Sequence, residues 1–306
     1  MEDKSVLIAG AGAIGLIVAE TIYKSNPDCM SVLAKGERLE RYQKYGLWVN
    51  GKKIDFRFSY GEPADIIIVA CKYHQLDQII KDIAPSVGRD TIIISLLNGI
   101  TSEEIIGSKL GRERLPLAMI IGTDAAYLGG KARYSARGII HFGDPEGKNG
   151  RREQRIAEFF KSTGIAYRLE SDMKRMLWYK FMINIGVNQV TAILKLPYGA
   201  IMKKGESGEI PEARELIEKA MIEAIAIANA EGIDLGKKDI ESWYKTVNQL
   251  NPAGFTSMCQ DVLTGRKTEL EMFSPVLLEL GKKHRIPLPV NEMLYLQLRT
   301  VEQFKS

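Results

Sequence analysis

The chain has 306 residues, of which 45% are hydrophobic and 26% charged, an ordinary composition with ample core and length for two domains. Its net charge of +4 comes from scattered Lys and Arg, which argues against a nucleic-acid partner and suits small anionic ligands. Glu2, Asp3 and Lys4 lead directly into an apolar strand, no apolar run is long enough for a membrane, and Cys29, Cys71 and Cys259 are odd in number and far apart; a cytoplasmic protein with reduced thiols, no signal peptide and no metal site is expected.

Ser5 to Ala9 reads as a short strand that runs into Gly10-Ala11-Gly12-Ala13-Ile14-Gly15, with a helix from Ala13 to about Lys24. A G-x-G-x-x-G run between strand and helix is a dinucleotide-binding fingerprint. Gly10 allows the tight turn, Gly12 lets a pyrophosphate approach the backbone, and Gly15 lets the helix pack on the strand. The N–H groups of the helix start at Ala13 and Ile14 favour phosphates. Met30 to Ala34 reads as the second strand, followed by Lys35 where an NAD site usually has an acid. A cation there, with Arg38 nearby, suits the 2′-phosphate of NADP; the plain alternative is a solvated loop charge beside Glu37.

Gly46 to Tyr60 carries the hairpin signal Asn50-Gly51 and reads as an insertion beside the sheet. Ala64 to Ala70 and Thr91 to Leu96 are continuous apolar runs, as central parallel strands require. Lys72 and Asn98 follow them, at the carboxyl ends where open α/β sheets bind ligands. Ser102 to Leu110 reads as a helix and Pro116 to Ile121 as a strand. Tyr127 to Gly143 reads as antiparallel pieces, Arg151 to Ser162 as a helix, and Ile165 to Leu169 as an edge strand.

After Glu170 the pattern turns helical. Ser171 to Leu196 predicts one long, largely apolar helix, with Ser171 as its N-cap and Pro197 as its stop. Lys180, Asn184 and Asn188 interrupt it at intervals of four, one stripe with roughly 6 Å between members. The plain alternative is a snorkelling lysine with two amides that satisfy loop carbonyls. Further helices are expected over Pro211 to Ala230, Asp239 to Leu250, Phe255 to Leu263, Glu269 to His284 and Asn291 to Phe304. The expected fold is α/β: a Rossmann-like dinucleotide-binding domain over residues 1–170 and an all-α domain over 171–306.

Taken in order, these marks resemble the ketopantoate reductase (2-dehydropantoate 2-reductase) family. The likeness rests on Gly10 to Gly15, Lys72 with Gln75, Asn98-Gly99, and Trp178 ahead of Lys180, Asn184 and Asn188. It continues through Ser257 to Asp261, Gly265 to Leu270, and Ile286 to Asn291. There are departures. Glu271 and Ser274-Pro275 stand where the family usually has Asp and Asn-Gly, and Gly254 replaces a frequent asparagine, for which either Asn251 substitutes or nothing does. These bear on the substrate's side chain more than on the reaction.

The resemblance implies NADPH-dependent reduction of a 2-oxo acid, 2-dehydropantoate, to its 2-hydroxy acid. Hydride delivery to a carbonyl builds negative charge on its oxygen, so a donor must stabilise that charge and supply a proton. Lys180 is the ionisable member of the apolar stripe and therefore the candidate acid. Asn184 and Asn188 are candidate ligands for the substrate's hydroxyl or carboxylate. The resemblance makes Ser257 a substrate ligand and Glu269 the partner that orients substrate and Lys180. It sets Asn98 near the nicotinamide ribose and Lys72 between cofactor and catalytic residues. The expected partner is a small-molecule 2-oxo acid, with no nucleic acid or membrane, and a homodimer is held open. The competing readings are a related reductase for another 2-oxo, opine-like or 3-hydroxy acid, and an NADP sensor without turnover.

Overall fold

The computed structural model describes residues 4–304, so Glu2 and Asp3 of the predicted leaderless start lie outside the described residues. Contacts divide the chain into two compact units, one ending at Lys174 and one beginning at Arg175.

The first unit is built on short apolar runs separated by amphipathic helices, which can bury both faces of a sheet only as a parallel array. Its strands are β1 (Val6–Ala9), β2 (Met30–Leu33), β5 (Phe58–Ser59), β6 (Ala64–Val69) and β7 (Val87–Ser95). They pair in the order β5-β2-β1-β6-β7, all parallel. Helices α1 (Ala13–Ser25), α2 (Gly36–Tyr45), α3 (Leu76–Ile83) and α4 (Ser102–Leu110) lie between strands in the chain. This is the Rossmann-like half.

A second sheet uses β3 (Leu47–Val49), β4 (Lys52–Ile54), β8 (Leu117–Leu128), β9 (Lys131–Gly143) and β10 (Tyr167–Leu169), with α5 (Arg151–Thr163) before β10. β9 is its hub: it pairs with β8, β3 and β10. Two expectations change here. Phe58, assigned to the hairpin, instead extends the parallel sheet beside β2. The strand expected to stop at Ile121 runs on to Leu128, because Gly129 and Gly130, at φ +55° and +84°, make a two-residue turn straight into β9. Leu16 and Ile22 of α1, Ile66 and Ile92 of the first sheet, and Ile140 and Phe142 of the second share one core.

Over its described residues the second unit is all-α. It comprises α6 (Met173–Ile183), α7 (Gln189–Leu194), α8 (Tyr198–Ile201), α9 (Pro211–Ala230), α10 (Lys237–Val247), α11 (Ser257–Leu263), α12 (Ser274–His284) and α13 (Pro289–Gln303). The predicted single helix over Ser171 to Leu196 is corrected: it starts at Met173, widens into a π-helical turn at Asn184–Asn188, and ends at Leu194 with Lys195 left-handed at φ +54°. The helix expected from Glu269 is also broken. A 3₁₀ turn, Leu270–Met272, precedes α12, and Phe273 bends the chain between them. Pro275 in the first turn of α12 explains the break, since proline fits a helix start and disrupts its interior. Among the described residues no helix is long and apolar enough to cross a membrane.

Candidate active site

The glycine loop joins β1 to α1, and its three glycines meet different constraints. Gly10 has φ +117°, and a Cβ there would fall 2.6 Å from the Ala70 carbonyl oxygen. A Cβ on Gly15 would sit 1.8 Å from the Gly10 carbonyl oxygen. Both are glycine because the fold leaves no room. Gly12 differs: its nearest neighbour would be Ala70 O at 3.8 Å, so the fold itself does not demand glycine. A ligand that comes up to the Gly12 backbone would, and a pyrophosphate at the start of α1 is such a ligand. Ala13 and Ile14 open that helix, whose first turn carries no acid.

Lys35 caps the start of α2 and is already engaged. Its Nζ lies 2.7 Å from the carboxylate of Asp82, which is buried on α3, and donates to the Tyr60 hydroxyl at 3.1 Å. Arg38 stands 3.9 Å from the same carboxylate. Asp82 and Tyr60 hold Lys35 above the ordinary lysine pKa. Lys72 follows β6 and precedes a 3₁₀ turn, Tyr73–Gln75; its N–H donates to the Gln75 side-chain oxygen at 3.3 Å. Asn98 lies in the loop between β7 and α4, followed by Gly99 at φ +85°. Both are partly buried at carboxyl ends of the parallel strands.

In the second unit, Lys180 occupies the last turn of α6. The side chain keeps some exposed surface, yet its charged end is crowded by protein atoms; this burial lowers its pKa to about 8, and the Glu269 carboxylate opposes the fall. Glu269 stands just before the 3₁₀ turn, partly buried. The fold therefore brings these two together electrostatically. Asn184 and Asn188 bound the π turn, and the Asn188 amide donates to Asn184 Oδ1 at 3.1 Å. Ser257 is the exposed first residue of α11. The residue that caps α11 is Thr256, whose hydroxyl accepts from the Cys259 N–H at 3.2 Å and meets the Thr191 hydroxyl at 2.9 Å. Capping does not account for Ser257.

The π turn and its support are absent from the sequence reading. A Cβ on Gly186, inside the turn, would lie 2.9 Å from the Ile217 carbonyl oxygen and 2.7 Å from Met221 Cγ, both on α9. Gln189, fully buried, donates to the Ile185 carbonyl at 2.7 Å and accepts from the Ser274 hydroxyl. Its amide also reaches Asn291 Oδ1 at 3.4 Å, and Asn291 donates to Glu223 on α9 at 2.7 Å. Polar residues at otherwise apolar helix positions were the available signal. The network also explains one departure: Ser274 is in the core, behind the turn. Glu271 pairs with Arg299 at 3.1 Å. Gly254 packs against Tyr198, where a Cβ would come within 3.1 Å of the ring, and the exposed Asn251 accepts from the Ala253 N–H at 3.1 Å.

Comparison with known proteins bears on the same residues. The family pattern "Ketopantoate reductase PanE/ApbA" matches residues 6–147, and its C-terminal counterpart matches residues 172–302. The chain belongs to the ketopantoate reductase family. It is thus an oxidoreductase of that family. Among curated relatives, the 2-dehydropantoate 2-reductase of Pyrococcus horikoshii is 29% identical with 97% of each chain covered, and that of Archaeoglobus fulgidus 27% identical with 99% of each covered. Among solved structures, a dimeric ketopantoate reductase from Staphylococcus aureus superposes with TM-score 0.82 at 19% identity, covering 99% of this chain and 100% of that one. D-mandelate dehydrogenase in complex with NADH gives TM-score 0.86 at 21% identity, with the same coverage. These two structures establish the fold.

Proposed function

We propose that the protein reduces 2-dehydropantoate to pantoate with NADPH, as a cytoplasmic enzyme of pantothenate synthesis. The observation that carries this reading is Lys180, a lysine with a pKa brought to about 8 by burial and opposed by the Glu269 carboxylate, in the last helical turn before a π turn in a family oxidoreductase. π turns recur at functional sites. The nicotinamide cofactor would be held by Gly10, Gly12, Ala13, Ile14 and Gly15 at its pyrophosphate, by Asn98 at the nicotinamide ribose, and by Lys72. When bound, it supplies the hydride for the carbonyl carbon. Lys180 would stabilise the negative charge that grows on the carbonyl oxygen and give it the proton that completes the alcohol. Glu269 keeps Lys180 charged for that task, and Asn184, Asn188 and Ser257 orient the substrate's carboxylate and hydroxyl. A homodimer belongs to this reading, supported by the dimeric Staphylococcus aureus relative. The experiment is NADPH oxidation with a panel of 2-oxo acids. 2-Dehydropantoate is expected to exceed pyruvate and 2-oxo-2-phenylacetate in kcat/KM by at least about tenfold, or about 1.4 kcal/mol. Preference for the phenyl acid would move the protein towards the mandelate dehydrogenases.

Cofactor choice has a second reading with its own observation. Asp82 already occupies Lys35, so a 2′-phosphate must share that cation with a buried carboxylate, whereas NADH need not. We take NADPH as the cofactor because Lys35 and Arg38 together outnumber Asp82. NADPH is expected to exceed NADH in kcat/KM by about tenfold or more. Lys35→Glu should narrow or invert that ratio, and Asp82→Asn, which leaves both cations to the phosphate, should widen it. Equal use of both cofactors by the unmutated protein would refute the assignment.

A further inference from the structure

Below the loop that carries Asn98 lies a buried acid that the reaction, as described, does not use. Glu103, on the first turn of α4, is 3% exposed, with Ser95 at 0% and Ser102 at 2%. The Ser102 hydroxyl donates to Glu103 Oε2 at 2.7 Å and the Ala118 N–H donates to Oε1 at 3.1 Å. Ser95 Oγ and Ser102 Oγ are 2.8 Å apart, and the Leu97 N–H reaches Ser95 Oγ at 3.5 Å. The Ala118 N–H can only donate, so Glu103 accepts at Oε1, and with the Ser102 hydroxyl donating to Oε2 the carboxyl sets the direction of the protons that follow. Ser102 points its hydrogen at Glu103, Ser95 points its own at Ser102, and the free lone pairs of Ser95 are left for Leu97. The series thus runs from Ala118, near the start of β8, to the backbone residue immediately before Asn98. Burial raises the Glu103 carboxyl above the ordinary glutamate range, and the donors at Ser102 and Ala118 offset only part of that rise. A charge wanted only for the helix dipole is already supplied by Glu104, which is exposed on the same turn.

We propose that Glu103 is a positioning residue: through Ser102 and Ser95 it anchors the backbone at Leu97 and so aims Asn98 at the nicotinamide ribose. This rests on the role given to Asn98 above. The test is binding of two probes, NADPH and 2′,5′-ADP, to the full-length protein. Glu103→Gln puts a donor where the chain needs an acceptor and is expected to weaken NADPH about tenfold. 2′,5′-ADP lacks the nicotinamide half, and its affinity should stay within about twofold. The double variant Asn98→Ala/Glu103→Gln should bind NADPH no worse than Asn98→Ala. Equal weakening of both probes, or fully multiplicative losses, would assign Glu103 to general stability and overturn the proposal. Unchanged NADPH binding in Glu103→Gln, with a loss in Asn98→Ala, would overturn it and leave Asn98 in place. Unchanged binding in Asn98→Ala would remove the reading of Asn98 and the proposal with it. Should Glu103→Gln not fold, Ser95→Ala cuts the same chain and carries identical expectations.

Discussion

Replacing Lys180 by alanine is expected to lower kcat by about 10³ or more, with NADPH affinity nearly unchanged. The substitution removes both the stabilising charge and the proton, two contributions made in the transition state. The lowered pKa adds a pH signature. Reduction needs the protonated amine, so its rate should fall as pH rises through about 8, while oxidation of the hydroxy acid should rise across the same range. Glu269 raises the lysine's pKa, so Glu269→Ala should lower kcat and move the alkaline limb to lower pH. If the two residues act as a unit, the double variant loses far less than the product of the single losses. Stability gives an independent sign. Lys180 titrates at about 8 folded and near the ordinary 10.5 unfolded, so between those values the unfolded chain binds more protons and stability rises with pH. Below that window the folded state carries the burdened charge, and Lys180→Met should raise Tm at pH 7 while abolishing turnover. Near-full kcat in Lys180→Ala would sink the mechanism. Multiplicative losses would keep Lys180 as the acid and remove its coupling to Glu269.

The parts of this fold legible in the sequence are those where one local rule acts alone. Gly10 to Gly15 was legible because the spacing of its glycines between a strand and a helix is a local pattern, although Gly10 owes its own steric limit to Ala70 far along the chain. The Ala64–Val69 strand was legible because its stretch buried on both faces, Ile66 to Val69, is an unbroken apolar run. α9 was legible to the residue, since proline starts it and its small apolar residues line one face. By contrast α2 has only a short apolar stripe: Tyr42 is its one buried residue and Leu39 packs partly beside it, so periodicity has little to report. The π turn was hidden for another reason. Intervals of four at Lys180, Asn184 and Asn188 fit a regular helix, and the close approach of α9 to Gly186 inside the turn is a contact made far along the chain. Asp82's hold on Lys35 was equally non-local, since it joins a loop after β2 to a helix after β6. Residue types marked the site, and long-range packing set its geometry.

That packing supplies the other large effect. Gly186→Ala is expected to lower both stability and kcat, because the added methyl meets the backbone oxygen of Ile217 as well as a movable side chain. Overpacking of this kind costs about 1–3 kcal/mol. The consequence for turnover comes from position. Gly186 lies midway between Asn184 and Asn188, and Gln189 ties the end of the turn to Ser274 on α12 and Asn291 on α13. With that end fixed, the displacement caused by the methyl must be taken up by the turn itself, which re-aims the two asparagines and the preceding Lys180. A shift of about 1 Å in positioning groups can cost about 10² in rate, so a fall of that order in kcat is expected, with cofactor binding retained. Adding Met221→Ala removes the contact at 2.7 Å but leaves the Ile217 oxygen at 2.9 Å, so it should restore part of the Tm and little of kcat. Thermal melting and steady-state kinetics on the three variants decide it. A lower Tm with unchanged kcat would keep the packing account and cut the link from the π turn to the chemistry; no change in either would mean that α9 yields to the methyl and the turn is not held by Gly186 at all.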